Sequence, residues 1–274
     1  MNLPRSVTTA FRYIILVLFS ISSLFPFFWV INSSLKLNSE ILGNPFALPT
    51  SLHFENYLTA WKTGHIGAYF LNSLFVSFFA VFIVLLVGAM ASYVLARVSE
   101  STFLYTYFTL GLMIPVHTIL IPTFVLMKEI HLYNTLIGLT LLYAASNLSL
   151  TIFILVGFMK TIPIEIEESA IMDGASWSRI FFNIILPISR PSIATAGMLA
   201  FLNCWNEYLW AYILISGNNI KTITQGIYLL QAQYATNYGP FTAGMVIGIL
   251  PVILIYIFFQ EQVIEGMTAG AVKG

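Results

Sequence analysis

Apolar residues run along this chain in long blocks interrupted by short polar ones. No Asp, Glu, Lys or Arg occurs at 70–96, 101–127, 132–159 or 222–260, and 13–31 is a further apolar run. A helix needs about 20 apolar residues to cross a bilayer, and a charge at its centre costs about 2.5–3.5 kcal/mol on insertion scales. The blocks therefore predict six spanning helices, at about 12–32, 69–96, 103–127, 134–159, 191–215 and 241–260. The period-2 alternation of an outer-membrane barrel is absent. The first block exceeds the roughly 7–15 residues of a signal-peptide core and lacks a small-x-small cleavage site, so it reads as a retained helix. Segments 33–68, 160–190 and 216–240 are long for connections between packed helices, usually about 2–8 residues.

Composition sharpens this reading. Hydrophobic residues make up 58% of the 274 and charged residues 8%, with a mean hydropathy of +0.88; soluble domains carry roughly 25% charged residues. So few charges cannot cover a water-facing surface, and no room remains for a separate soluble domain, so 1–274 is expected to be a single all-α transmembrane domain. The zero net charge gives no sign of a nucleic-acid partner. Cys204 is the one cysteine and His53, His65, His117 and His131 are scattered, so neither a disulfide nor a metal site is expected.

Orientation follows from Lys and Arg. With the N-terminus inside, the inner segments hold Arg5, Arg12, Arg97, Lys160, Arg179, Arg190 and Lys273, and the outer ones hold Lys36, Lys62, Lys128 and Lys221. Every arginine then falls inside, and both termini are expected in the cytoplasm.

The inner segment 160–190 reads KTIPIEIEESAIMDGASWSRIFFNIILPISR and holds seven charged residues. Pro163 suits a first helical turn, and Glu165, Glu167 and Glu168 suit the positive end of a helix dipole. Gly174 supplies a stop with positive φ, and Ser176 can cap a second short helix. Pro187 and Pro191 mark the turn into the fifth span. The pattern predicts two short helices about a glycine bend, at about 161–183, lying under the membrane.

Glu168, Ser169 and Ala170, then Gly174 four residues on, then Ile184, Leu186 and Pro187, resemble the EAA motif of permease subunits in binding-protein-dependent ABC importers. Ser169 replaces the usual alanine and keeps a small side chain. The resemblance extends along nearly the whole chain to the smaller, six-span carbohydrate permeases of the maltose type. It is carried by Asn32, Ser33 and Lys36; Glu55, Asn56 and Tyr57; Asn72 and Ser73; Ala91, Ser92 and Tyr93 with Ala96 and Arg97; Ile114 and Pro115; Asn134 and Thr135; Gly157 to Lys160; Trp205, Asn206, Glu207 and Tyr208; and the glycine-rich end from Gly266 to Gly274. Glu261 stands where the family more often has arginine.

The resemblance implies that the EAA segment is a cytoplasmic coupling helix between spans four and five, seated in a groove of a separate ATPase. Glu165, Glu168, Ser169, Ala170, Asp173, Gly174, Leu186 and Pro187 would carry that contact, with Ile171, Met172 and Trp177 as apolar anchors. It implies an ATPase dimer that binds ATP and Mg, a second permease expected to be a different chain, an extracytoplasmic sugar-binding protein, and a bacterial-type inner membrane as the setting. No cofactor is expected in this chain, which lacks a G-x-x-x-x-G-K-[S/T] loop and is not itself an enzyme. The tail 266–274 would dock toward the ATPase, and Thr222, Ile223 and Thr224 would reach the binding protein, a plain polar connector being the other reading of that loop.

Glu207 is the one charged residue inside a span, and such groups usually face a bundle interior or cavity. With Asn203, Asn206, Tyr208 and Trp210 it could line a sugar path; alternatively it pairs with a neighbouring helix, which is favoured because the family keeps this motif across different sugars. An ion-coupled secondary transporter is the alternative function, but one carboxylate in six spans argues against it. A membrane-embedded enzyme would need clustered His, Asp or Ser groups at one depth, and none occurs. Gly244 and Gly248 would admit a close helix, and Pro251 would kink the last span.

Overall fold

The computed structural model describes the backbone of residues 5–99, 101–233 and 237–271, with side-chain surroundings given for 11–262 within those stretches. Among the described residues the regular structure is entirely helical. The chain divides into two compact units, one formed by Met1–Gly67 with Gly226–Leu250 and the other by Ala68–Gln225 with Pro251–Gly274.

The first unit begins with α1, Arg5–Ser34, whose outward apolar side chains from Phe11 to Phe28 are mostly exposed. A helix with so much uncovered apolar surface is at home in lipid. The loop after it is held by its own polar side chains. Lys36 is buried and its Nζ donates to the carbonyls of Asn44 and Pro45 at 3.3 Å each, while Asn56 Nδ2 donates to the carbonyls of Ser34 and Lys36. Glu40 accepts from the Thr50 hydroxyl and from the Leu37 and Thr50 amides. The Thr50 hydroxyl, before any other group, holds the Glu40 carboxyl below its ordinary pKa, against a weaker opposing push from desolvation. Elsewhere in this unit Leu230 is wedged between two glycines. A Cβ on Gly64 or Gly244 would lie 2.5 or 2.6 Å from its methyl groups, so the close approach expected at Gly244 is made within this unit by Leu230.

The second unit holds α2 (Ile66–Tyr93, all but its first two residues), α3 (Thr102–Leu110), α4 (Val116–Glu129), α5 (Leu136–Met159), α6 (Glu165–Met172), α7 (Arg190–Asn206) and α8 (Leu209–Leu214). Helices α2 and α5 are apolar around their whole circumference, as helices buried or immersed in lipid are. Gly88 on α2 lets Thr151 on α5 approach to where a Cβ would be 2.7 Å from its methyl. The inner faces of α2, α5, α7 and α8 enclose one apolar cluster around Val76, Val84, Leu139, Tyr143, Cys204 and Trp210. A second cluster around Ala89, Tyr93, Leu155, Met159, Ile180 and Ile185 lies where α2 and α5 meet the 160–190 segment. The α9 (Ile223–Gln233) and α10 (Tyr238–Ala271) helices complete the chain. Helix α10 continues through Ala271, and Val272, Lys273 and Gly274, part of the expected docking tail, lie outside the described residues.

Among the described residues four helices are long and apolar enough to cross a membrane, and there are up to six spans if two bent pairs each count as one. The bends correct two of the expected boundaries. The predicted span 103–127 is not continuous: Thr102–Met113 and Val116–Glu129 meet at 100°. Ile114 is extended, with ψ 114°, because the ring of Pro115 disfavours the helical region for the residue before it. The predicted span 191–215 ends its helix at Asn206, where Glu207 turns extended at ψ 129°, and Trp177–Ile188 meets Arg190–Asn206 at 75°. Pro251 sits inside α10 without ending it.

Candidate functional site

The 160–190 segment folds as two short helices about a glycine. In α6 the first turn carries Glu165, Glu167 and Glu168, where carboxylates face the helix's free N–H groups. The helix ends at Asp173, and Gly174 takes φ +79° while its N–H donates to Ile171 O at 2.9 Å. A Cβ on Gly174 would meet no atom within 4 Å, so the glycine is required by the backbone turn and not by crowding. Ser176 then caps the helix Trp177–Ile180 by accepting from the Arg179 N–H. Glu165, Glu168, Ser169, Asp173 and Gly174 are exposed, and Ala170, Leu186 and Pro187 are half-buried. Beside them Ile171, Trp177 and, at 87%, Met172 stand open. The segment thus presents carboxylates and large apolar side chains on one short stretch.

One acid of the three behaves differently. Glu167 is 3% exposed and is the only buried residue of α6. Its Oε1 lies 3.0 Å from Nε of Arg97, off-line for a hydrogen bond and so an ionic contact. Its Oε2 accepts from the Tyr93 hydroxyl at 3.2 Å. Nη2 of Arg97 donates to Met159 O at 2.6 Å and also to Ile162 O. Arg97 stands on a π-helical turn, Val94–Val98, that ends α2, a deviation often found at functional positions. Glu167 was not among the site residues expected from sequence. In the sequence it is one of three similar acids, and only the face of α6 turned inward distinguishes it.

A second polar group lies around the break between α7 and α8. Glu207 Oε2 accepts from the Tyr143 hydroxyl at 2.7 Å and from Ala211 N–H at 3.1 Å, and Oε1 accepts from Trp210 N–H at 2.9 Å. The carboxylate therefore caps α8 and ties it to α5. Asn203 Nδ2 donates to Asn147 Oδ1 at 3.0 Å, and Asn147 Nδ2 donates to Tyr143 O; Asn147 on α5 had no role assigned from sequence. Asn203 and Asn206 are exposed, Tyr208 is half-buried and stacks on Tyr212 at 5.5 Å, and Trp210 is buried. Of the five residues grouped as a sugar path, Glu207 and Trp210 thus serve the packing of the helix break.

The outer-loop residues lie inward. Thr222 and Ile223 are buried and Thr224 is half-buried. The Thr222 N–H donates to Gln225, that of Ile223 to Ser73 Oγ at 2.8 Å, and the Thr224 hydroxyl to Glu207 O at 2.8 Å. Thr222 and Ile223 were expected to meet a partner; in this arrangement both are buried, and the Ile223 N–H ties the loop to Ser73 on α2. Among residues 216–224 the exposed ones are Ser216, Asn218 and Asn219. Among the described residues no cluster of three or more His, Cys, Asp or Glu could hold a metal ion.

Apolar helices long enough to cross a membrane, with an exposed, acid-rich helical hinge, mark a polytopic membrane protein. The chain belongs to the binding-protein-dependent transport system inner membrane component family, whose profile matches residues 85–268. It is 37% identical over 268 residues to the diacetylchitobiose uptake system permease protein NgcG of Streptomyces coelicolor, covering 96% of this chain and 89% of that protein. It is 30% identical over 279 residues to the multiple sugar-binding transport system permease protein MsmG of Streptococcus mutans, covering the whole of both. Its fold is similar to a chain in the crystal structure of a bacterial ABC transporter that imports alginate, with a TM-score of 0.80, 22% identity, and coverage of 95% of this chain and 99% of that one. The chain is therefore a permease subunit of an ABC importer, and the ion-coupled secondary transporter has no support.

Proposed function

We propose that this chain forms one half of the pore of an ATP-driven importer for a sugar or oligosaccharide. The observation that carries the proposal is the exposed hinge of α6, Gly174 and the Trp177–Ile180 helix, in a chain whose near-full-length relatives include NgcG and MsmG. Glu165, Glu168, Ser169, Ala170, Asp173, Gly174, Leu186 and Pro187 form the surface that enters the ATPase groove. Exposed carboxylates there can make charge-assisted bonds to a basic partner, and Met172 and Trp177 supply apolar anchors. ATP and Mg belong to the ATPase dimer. When its two subunits close, the hinges move together and the spans rock to open the path outward.

A second permease, a different chain, completes the pore, and an extracytoplasmic sugar-binding protein delivers the substrate. Both termini lie in the cytoplasm, where all the arginines then fall. Asn203, Asn206 and Tyr208 line the path, with Glu207 holding the helix break behind them. Contact with the binding protein falls to Asn218 and Asn219, held out by a loop whose Thr222 and Ile223 are anchored inward.

The test is affinity purification of the tagged chain in mild detergent, mass spectrometry of its companions, and ATP-driven uptake in vesicles. A stoichiometric ATPase and a second permease, both lost on deleting residues 165–174, are expected. A chain that transports by itself, without an ATPase, would overturn the reading.

A further inference from the structure

A coupling surface works only if its movement reaches the spans, and α6 offers little apolar contact for that purpose. Seven of its eight residues are exposed or half-buried, and the eighth is Glu167. Apart from Ala170, half-buried against the apolar cluster, its attachment to the bundle is thus one carboxylate. The partner of that carboxylate is a single guanidinium reaching three places at once: Glu167 on α6, the carbonyl of Met159 that ends α5, and the carbonyl of Ile162 just beyond. The Met159 carbonyl is a group that a helix end leaves without an intrahelical partner, and a cation there is also favoured by the helix dipole. Arg97 itself ends α2, and Tyr93, one turn earlier on the same helix, holds the other carboxylate oxygen. Side chains of the ion pair are 7% and 4% exposed, so water does not loosen it.

We infer that Arg97 is the positioning residue through which movement of the coupling helix is delivered to the second and fourth spans. A packed apolar contact can slide, because dispersion is non-directional. Here Nη2 is bonded to two backbone carbonyls, and the buried carboxylate cannot leave Arg97 without losing its counter-charge. A displacement of α6 therefore pulls on the ends of α2 and α5 together, and the two helices move as one piece. The inference rests on the importer reading, because it needs an ATPase to move α6.

The experiment uses the assembled complex reconstituted in vesicles, with ATP hydrolysis and sugar uptake measured on the same preparation. Wild type must first show ATP-driven uptake; if it does not, the importer reading fails and not this inference. Arg97→Ala and Glu167→Gln are expected to assemble with the ATPase and hydrolyse ATP, with uptake per ATP reduced about tenfold, the scale of a typical coupling energy. Arg97→Lys keeps a charge but has one nitrogen in place of the Nη2 and Nε that meet the carbonyls and Glu167 separately, and is expected to fall between. The reversed pair Arg97→Glu with Glu167→Arg is expected to recover part of the ratio. If Arg97→Ala does not assemble, Arg97→Lys and Glu167→Gln decide the matter. Assembled variants that keep the wild-type uptake per ATP would overturn the inference, as would equal losses of uptake and hydrolysis.

Discussion

Single side chains at the helix ends do work that their positions in the sequence do not announce. Glu207 is the clearest case, since its two oxygens receive the Tyr143 hydroxyl and two amides that begin α8. Glu207→Ala would leave all three donors without acceptors, at an expected cost on the order of 3 kcal/mol. Glu207→Gln keeps one good acceptor and should lose less, and Asn206→Ala, at an exposed site, very little. Thermal unfolding of the assembled complex in detergent should rank them in that order. Equal melting points for Glu207→Ala and Asn206→Ala would remove the capping role. Glu167 teaches the same lesson: among three carboxylates in one turn, burial picks out one for an internal pair and leaves Glu165 and Glu168 facing outward.

At the scale of elements, the decisive feature is the turn at Gly174. A φ of +79° is strained for any residue with a Cβ, although Asn and Asp tolerate it best. Gly174→Asn is therefore expected to insert and assemble nearly as wild type. Gly174→Asp has the same shape but adds a charge beside Asp173 on the docking surface, and is expected to insert normally while losing uptake. Uptake at the wild-type level in Gly174→Asp would separate this turn from coupling. The helix breaks at Ile114–Pro115 and at Glu207 belong to this scale too. The first sits inside an uninterrupted apolar block, because bending a helix does not require polar residues, whereas the second falls at the one charged residue of its span. Pro115 does it through the residue before it, and Glu207 does it by capping the helix that follows.

For the whole molecule, the apolar surface left uncovered on α1 and on much of α2 suits a lipid solvent. The hinge is the contrasting surface, polar and apolar together, and Met172 stands furthest out from it at 87% exposure. A photo-reactive amino acid in place of Met172 is expected to capture the ATPase subunit in intact membranes, whereas one at Phe103, 78% exposed on α3, is not. Capture from both positions alike, or from neither, would count against the hinge as the docking surface.

Hydropathy alone determined the helical class, the placing of the apolar blocks and the charged character of 160–190, because lipid tolerates neither charges nor unpaired backbone groups and so writes its thickness into the sequence. Local chemistry determined the hinge as well: acids before a helix, a glycine after it and a serine cap are instructions read within a few residues. The burial of Glu167 against Arg97, the inward anchoring of Thr222 and Ile223, and the fastening of Glu207 to Tyr143 were decided only by tertiary structure. These partners stand 70, 150 and 64 positions apart along the chain. Which of several similar polar side chains faces inward depends on how the helices are rotated against one another, and packing sets that rotation.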